Sequence, residues 1–337
     1  MNIFEIRFLY GMAYTMSLML RRDFSQEERE RREFIKRIRD LSPYEFREED
    51  WERLREMIYP PEPLDVDVII DDTTLREGVQ MSGLITPSPE DMCKIACMLY
   101  ELGVERIEVK SFTSNDVEGI RLMHEMGLSD VLANWCRGSK EDIDRSLKLD
   151  FSQIGLSHPV SYIHFEKWPD KTCEELVDRV VSLVEYAVDH GLTVFVHGED
   201  STRADWEFER EFVNAVAEAG AKVYRICDTV GIARSWPEAP LPIGIPAKIK
   251  KIKEETKIPY LEIHAHNDLG NAVANTMAAI RAASGLYDKF YVSTTFLGLG
   301  DRTGNAETEV VMMNCYIHHG IKKHWKLHLL RQTANLS

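Results

Sequence analysis

Ile258-Pro259-Tyr260-Leu261-Glu262-Ile263-His264-Ala265-His266-Asn267-Asp268-Leu269-Gly270 opens with an apolar run that reads as a strand. A strand has a side-chain period of two, so His264 and His266 project to one face. On a helix the same spacing would splay them about 200° apart. Two imidazoles side by side at a strand end, followed by Asn267 and Asp268, form a candidate part of a divalent-metal site. Taken alone, the pair fits two polar residues at a strand end equally well.

Working outward, a helical run near 271–284 follows this strand, and the same unit recurs along the chain. Strands are expected at 66–70, 106–109, 131–135, 153–156, 193–196, 222–226, 260–264 and 290–295. Helical runs lie near 89–102, 115–126, 140–148, 173–190, 206–219, 244–256 and 271–284. This alternation over residues 65–337 predicts an α/β fold, a TIM (β/α)8 barrel. A doubly wound open sheet is the alternative, but no G-x-G-x-x-G follows the first strand.

Residues 1–64 form a separate N-terminal helical extension. Phe8 to Leu20 is too short to span a bilayer and reads as a packing or dimerising helix. Ser25-Gln26-Glu27-Glu28 fits a capping box, and Phe34, Ile35, Ile38 and Leu41 make a narrow apolar stripe. A second helix is expected from about Tyr44 to Ile58, with Phe46, Trp51, Leu54 and Ile58 apolar. Pro60-Pro61-Glu62-Pro63 marks the boundary.

The formal net charge of -15 argues against nucleic acid or an anionic membrane as partner. Six cysteines without a C-x-x-C pair fit reduced thiols and a cytoplasmic location. No signal peptide is read at the N-terminus.

In a barrel of this kind, function sits where strands end. The strand ends here carry Arg76, Glu77 and Gln80, then Glu108 and Lys110, Ser157-His158, His197 to Arg203, Asp228-Thr229, the His264/His266 pair, and the glycine-rich run Gly298 to Asn305. One carboxylate and two histidines on a metal would leave open positions for a chelating substrate.

Three segments then carry a resemblance. Asp72-Thr-Thr-Leu-Arg-Glu-Gly78, His264-Ala-His-Asn-Asp-Leu-Gly270 followed by Ala272-Val-Ala-Asn275, and Gly298-Leu-Gly-Asp-Arg-Thr-Gly-Asn305 resemble the signatures of the DRE-TIM metallolyase superfamily. The branch they resemble is that of the 2-isopropylmalate, homocitrate and citramalate synthases, over about Val66 to Leu330. The resemblance implies a metal-dependent acyltransferase that condenses acetyl-CoA with a 2-oxo acid, commonly as a homodimer. It implies Glu77, His264 and His266 as ligands of a divalent metal (Mg, Mn, Zn, Co or Fe), with Asn305 a weaker one. It implies Arg76 at the enolate or alkoxide, Thr229 at the 2-oxo acid carboxylate, Glu199 near the acetyl group, and Gln80 in the substrate site.

Several positions depart from the family. Glu77 stands where isopropylmalate and citramalate synthases usually have Asp, and a Glu there resembles homocitrate synthases. Phe195 stands where homocitrate synthases have the Arg that grips a distal carboxylate, so Phe195 is expected in the substrate pocket, disfavouring a dicarboxylic acid. Val79 replaces an acidic residue, and Lys110 replaces a small one, as a new anion contact or a snorkelling rim residue. The chain is also expected to lack the C-terminal synthase subdomains, with His318, His319, His324 and His328 facing solvent or an interface. The alternatives are a lyase of the hydroxymethylglutaryl-CoA type, which Glu108-Val-Lys-Ser-Phe112 slightly resembles, and a non-catalytic barrel subunit. The lyases carry a Cys in the glycine-rich loop, and Gly298 to Asn305 has none.

Overall fold

The computed structural model describes residues 25–39, 47–58, 60–321, 323–330 and 333. The Phe8–Leu20 helix, Leu41, Phe46 and the side chains of Trp51 and Ile58 lie outside them.

Eight parallel strands close into a barrel in chain order. They are β1 (Asp67–Asp72), β2 (Arg106–Val109), β3 (Leu132–Cys136), β4 (Gln153–Pro159), β5 (Thr193–Glu199), β6 (Val223–Asp228), β7 (Tyr260–Ala265) and β8 (Lys289–Thr294). β1 pairs with both β2 and β8, which removes any sheet edge. Outside the ring lie α3 (Pro89–Leu102), α4 (Ser114–Glu125), α5 (Lys140–Lys148), α6 (Tyr162–Phe165), α7 (Cys173–Asp189), α8 (Trp206–Glu218), α9 (Ile245–Glu255), α10 (Ala272–Ala283) and α11 (Thr308–His319). They follow α1 (Gln26–Arg39) and α2 (Glu48–Ile58) of the extension.

Side-chain oxygens start several helices. Ser88, Thr113, Ser139, Thr172 and Asp205 each accept from a backbone N–H of the first turn. The capping box at Ser25 forms, with Ser25 N donating to Glu28 Oε2 at 2.8 Å. Phe34, Ile38 and Leu54 bury together as a small core of α1 and α2, apart from the main core.

The main core lies between sheet and helices, built from outward strand residues such as Ile70, Val109, Ile154, Val196, Ile226 and Ile263. The inward residues differ. Arg106, Glu108, Arg225, Glu262 and Asp71 are almost wholly buried in the lumen. Charges are costly to bury unless paired, and these are paired across the barrel. Arg225 of β6 reaches Asp71 of β1, Glu108 of β2 and Glu262 of β7, the latter two at 2.9 Å.

All six cysteines are free. Among the described residues, no helix is long and apolar enough to cross a membrane. His319 departs from expectation: it is buried, with Nδ1 2.8 Å from the Glu62 carbonyl, because α11 packs against the segment entering β1.

Candidate functional site

β7 brings His264 and His266 to the barrel mouth on one face, ring centroids 4.9 Å apart. Glu77 arrives from the turn after β1, where the N–H groups of Glu77 and Arg76 both donate to the Thr73 carbonyl. Ligand atoms of Glu77, His264 and His266 lie within 4.8 Å of one another, the single such cluster among the described residues. All three side chains are buried.

The glycine-rich loop adds Asn305. It is zipped onto the end of β7 by Asn267 N donating to Gly304 O (2.9 Å) and Ala306 N to Ala265 O (3.2 Å). A Cβ on Gly300 would stand 2.0 Å from Asn305 Oδ1, so only glycine lets the loop wrap this amide. The amide meets His264 Nε2 at 3.3 Å.

These residues fit a divalent ion. His266 Nδ1 and Asn305 Oδ1 are buried without a hydrogen-bond partner, a costly arrangement that a cation would relieve. His264 Nδ1 is taken up by Ser293 Oγ at 2.8 Å, which leaves Nε2 facing the cluster. Burial pushes His264 well below the usual imidazole range, with His266 and Arg76 adding repulsion. Burial also lowers His266, which favours the neutral ring that a metal requires.

Arg76 lies alongside. Its guanidinium donates to Glu77 and, through Nε, to Glu108 Oε1 at 2.7 Å, and it sits 5.3 Å from the Trp135 ring centroid. Burial works against its charge, and the two carboxylates outweigh it. Glu108 is held well below the carboxylate range: burial opposes this, and Arg225 and Arg76 overcome it.

The opposite side of the mouth is separate. Glu199, at the end of β5, is about one-third exposed and does not join the metal cluster. It faces His164 Nδ1 at 2.8 Å, without hydrogen-bond alignment, and Lys167 Nζ at 3.3 Å. Thr229 is half-buried, and its Oγ1 accepts from Asp200 N at 2.8 Å. Gln80 is exposed on a single helical turn, Gly78–Gln80.

Phe195 is corrected. It lies deep in the lumen, two residues below His197 on the same face, against Arg106 (3.5 Å to the ring centroid) and Tyr291 (5.3 Å). β5 runs on to Glu199 rather than ending near 196, which carries this position away from the mouth. At about 3.3 Å per residue, Phe195 is some 13 Å along the strand from Glu199.

His164 and Arg225 are not among the residues read from sequence, and His197 and Glu108 are read there at strand ends without a role. For Glu108 and Arg225 a signal existed: a charge alternating with apolar residues in Arg106-Ile-Glu-Val109 and Val223-Tyr-Arg-Ile226 points into a barrel lumen. His197 occupies space that Gly155 vacates, since a Cβ there would stand 2.4 Å from His197 Cε1.

A family model described as HMGL-like matches residues 67–336. The chain is 34% identical to an (R)-citramalate synthase of Methanocaldococcus jannaschii over 271 residues, 80% of this chain and 52% of that protein. It is 35% identical to a 2-isopropylmalate synthase of Sulfurisphaera tokodaii over 272 residues, 80% of this chain and 67% of that one. It is 33% identical to a homocitrate synthase of Methanopyrus kandleri over 285 residues, 84% and 67%. The chain spans about half the length of several of the curated relatives it matches. Among solved structures, the HMG-CoA lyase of Bacillus subtilis superposes with a TM-score of 0.62 at 20% identity, over 81% of this chain and 93% of the lyase. That likeness supports the barrel fold.

Proposed function

Since the chain belongs to the HMGL-like family, within the DRE-TIM metallolyase superfamily and its synthase branch, we propose that it condenses acetyl-CoA with a 2-oxo acid and releases CoA. The observation that carries this reading is the convergence of Glu77, His264 and His266 within 4.8 Å, with Arg76 bonded to Glu77 beside them. Glu77, His264 and His266 would hold a divalent ion, with Asn305 contributing through its unpartnered Oδ1. A divalent ion held there would supply Lewis acidity toward a 2-oxo acid carbonyl.

The chain's own residues do the rest. The Thr229 hydroxyl already accepts from Asp200 N, so its proton is available to the substrate carboxylate. Glu199, oriented by His164 and Lys167, takes the proton from the acetyl methyl. The new carbon–carbon bond forms as the keto oxygen becomes an alkoxide. Arg76, fixed by Glu108, offsets that charge, a contribution of about 3–4 kcal/mol for a pre-oriented donor. The proton held by Glu199 passes to the alkoxide, and water then cleaves the thioester, leaving a hydroxy acid with a new carboxylate and free CoA.

The test is thiol release from acetyl-CoA with pyruvate, 2-oxobutyrate, 2-oxoisovalerate, 2-oxoglutarate or oxaloacetate, with Mg²⁺ or Mn²⁺. Release with at least one acid, lost in His264→Ala together with bound metal, is the expected result. Folded, metal-loaded protein that releases no CoA with any of the five overturns the reading.

A further inference from the structure

Lys110 follows β2 directly. Arg106 and Glu108, the alternate residues before it, both point into the lumen, where Arg225 and Asp71 meet them. Ser111 points the other way, since its Oγ accepts from Asn134 Nδ2, which also donates to Ser146 of α5 outside the barrel. Phe112 returns inward and meets the ring of Trp135 edge-on at 5.8 Å. The period of two therefore aims Lys110 into the mouth, on the wall that carries Trp135 and Arg76.

The other lumen-facing cations are matched. Arg76 has Glu77 and Glu108, Arg106 has Asp71, and Arg225 has Asp71, Glu108 and Glu262. At the rim, Lys167 pairs with Glu199, and Arg302 with Asp268 and Asp301. Among the described residues, Lys110 is the lumen-facing cation with no acidic group within 4.0 Å, and it is only partly exposed. A half-buried ammonium without a carboxylate favours an anion. The metal cluster lies on β7 and the turn after β1, and β2 pairs with β1, so Lys110 shares the mouth with any ligand held at the cluster by its 2-oxo acid end.

We propose that Lys110 is a specificity-determining residue that binds a second carboxylate, so that the 2-oxo acid taken by this barrel is dicarboxylic. The inference rests on the synthase reading for the identity of the ligand, and on geometry alone for the cation. Phe195, which from sequence argued against such an acid, is on the lumen floor and takes no part.

The experiment is equilibrium binding by titration calorimetry to the Mn²⁺-loaded protein, without acetyl-CoA, so that it stands whether or not CoA is released. The ligands are 2-oxoglutarate and 2-oxopentanoate, which differ by the far carboxylate. The proteins are the natural chain, Lys110→Met and Lys110→Arg. A charge-assisted hydrogen bond is worth about 1.5–3 kcal/mol, or roughly 10- to 150-fold in Kd. The natural chain should prefer 2-oxoglutarate by at least that lower factor. Lys110→Met should erase the preference without changing 2-oxopentanoate binding, and Lys110→Arg should keep most of it. An equal ratio in the natural chain and Lys110→Met overturns the proposal, as does a natural chain that binds neither acid or prefers 2-oxopentanoate. In a separate titration with CoA and with CoA lacking its 3′-phosphate, a Lys110→Met effect seen with CoA alone, and with neither acid, would assign the lysine to the nucleotide and also overturn it. No CoA release alongside an intact binding preference would fault the synthase reading alone.

Discussion

Replacing Arg225 by methionine should be among the most damaging single changes in the lumen. Its guanidinium is fully buried and donates to Glu108 Oε1 at 3.1 Å, to Glu108 Oε2 and Glu262 Oε1 at 2.9 Å each, and to Asp71. Three guanidiniums (Arg76, Arg106, Arg225) face four carboxylates (Asp71, Glu77, Glu108, Glu262) in this network. Without Arg225 two guanidiniums face four, in a space closed to water. Removing one partner of a buried pair costs about 3–5 kcal/mol. Methionine fills the stem but neutralises nothing. Part of the loss is relieved because burial already pushes Asp71 well above the carboxylate range, so it takes up a proton readily. The lower end, about 3 kcal/mol, is therefore expected near pH 7.5. Urea unfolding followed by circular dichroism measures it. The sign of the pH effect follows: orphaned carboxylates have raised folded-state pKa values, so the native variant binds more protons than the unfolded chain and gains stability as pH falls. The gap to the natural chain should narrow from pH 8 to pH 5.5. A gap below about 1 kcal/mol at pH 7.5, or one that does not change with pH, would refute the view that Arg225 neutralises this layer. Arg225→Lys should recover only part, because one ammonium cannot span the carboxylates that the planar fork reaches.

Two further outcomes are expected. His158 is buried, stacked on Trp168 at 5.6 Å, and burial lowers it from the ordinary imidazole value to about 4. The unfolded chain therefore binds a proton between about pH 6.5 and 4 that the folded chain refuses. Stability from this group is fully present above pH 6.5 and falls by roughly 3 kcal/mol toward pH 4; His158→Phe should flatten that limb of an unfolding profile, and an unchanged slope would count against it. Gly155→Ala places a Cβ 2.4 Å from His197 Cε1. Overpacking of about 1–3 kcal/mol is expected in the unfolding midpoint, relieved in the double variant with His197→Ala; additive effects of the two changes would show that the ring and the methyl do not compete.

The eight strands were legible because each is a short apolar run, and seven of the helices because of their amphipathic period. Several strand ends were read short where polar side chains begin. β1 continues through Asp71-Asp72, β4 through Ser157-His158-Pro159, and β5 through His197-Gly198-Glu199. Polar residues at a barrel mouth look like loop in a hydrophobicity pattern, yet the backbone still pairs there. Phe195 is expected in the pocket from the resemblance, and only the packed lumen shows its ring against Arg106 and Tyr291.

The sequence by itself determined the barrel, the order of its strands and the shared face of His264 and His266, because those depend on local period and on neighbours in the chain. It also brought Glu77 under notice. The tertiary structure alone decided which charges meet. Arg225 lies 154 residues from Asp71 and 117 from Glu108, and Arg76 lies 32 from Glu108. Only closure of the sheet brings them within hydrogen-bond reach. The same closure separates Glu199, tied to His164 and Lys167, from the metal-competent cluster, and leaves Lys110 in the mouth without a carboxylate. Pairing energies in a lumen fall steeply with distance and depend on exclusion of water, and neither is written in local sequence period.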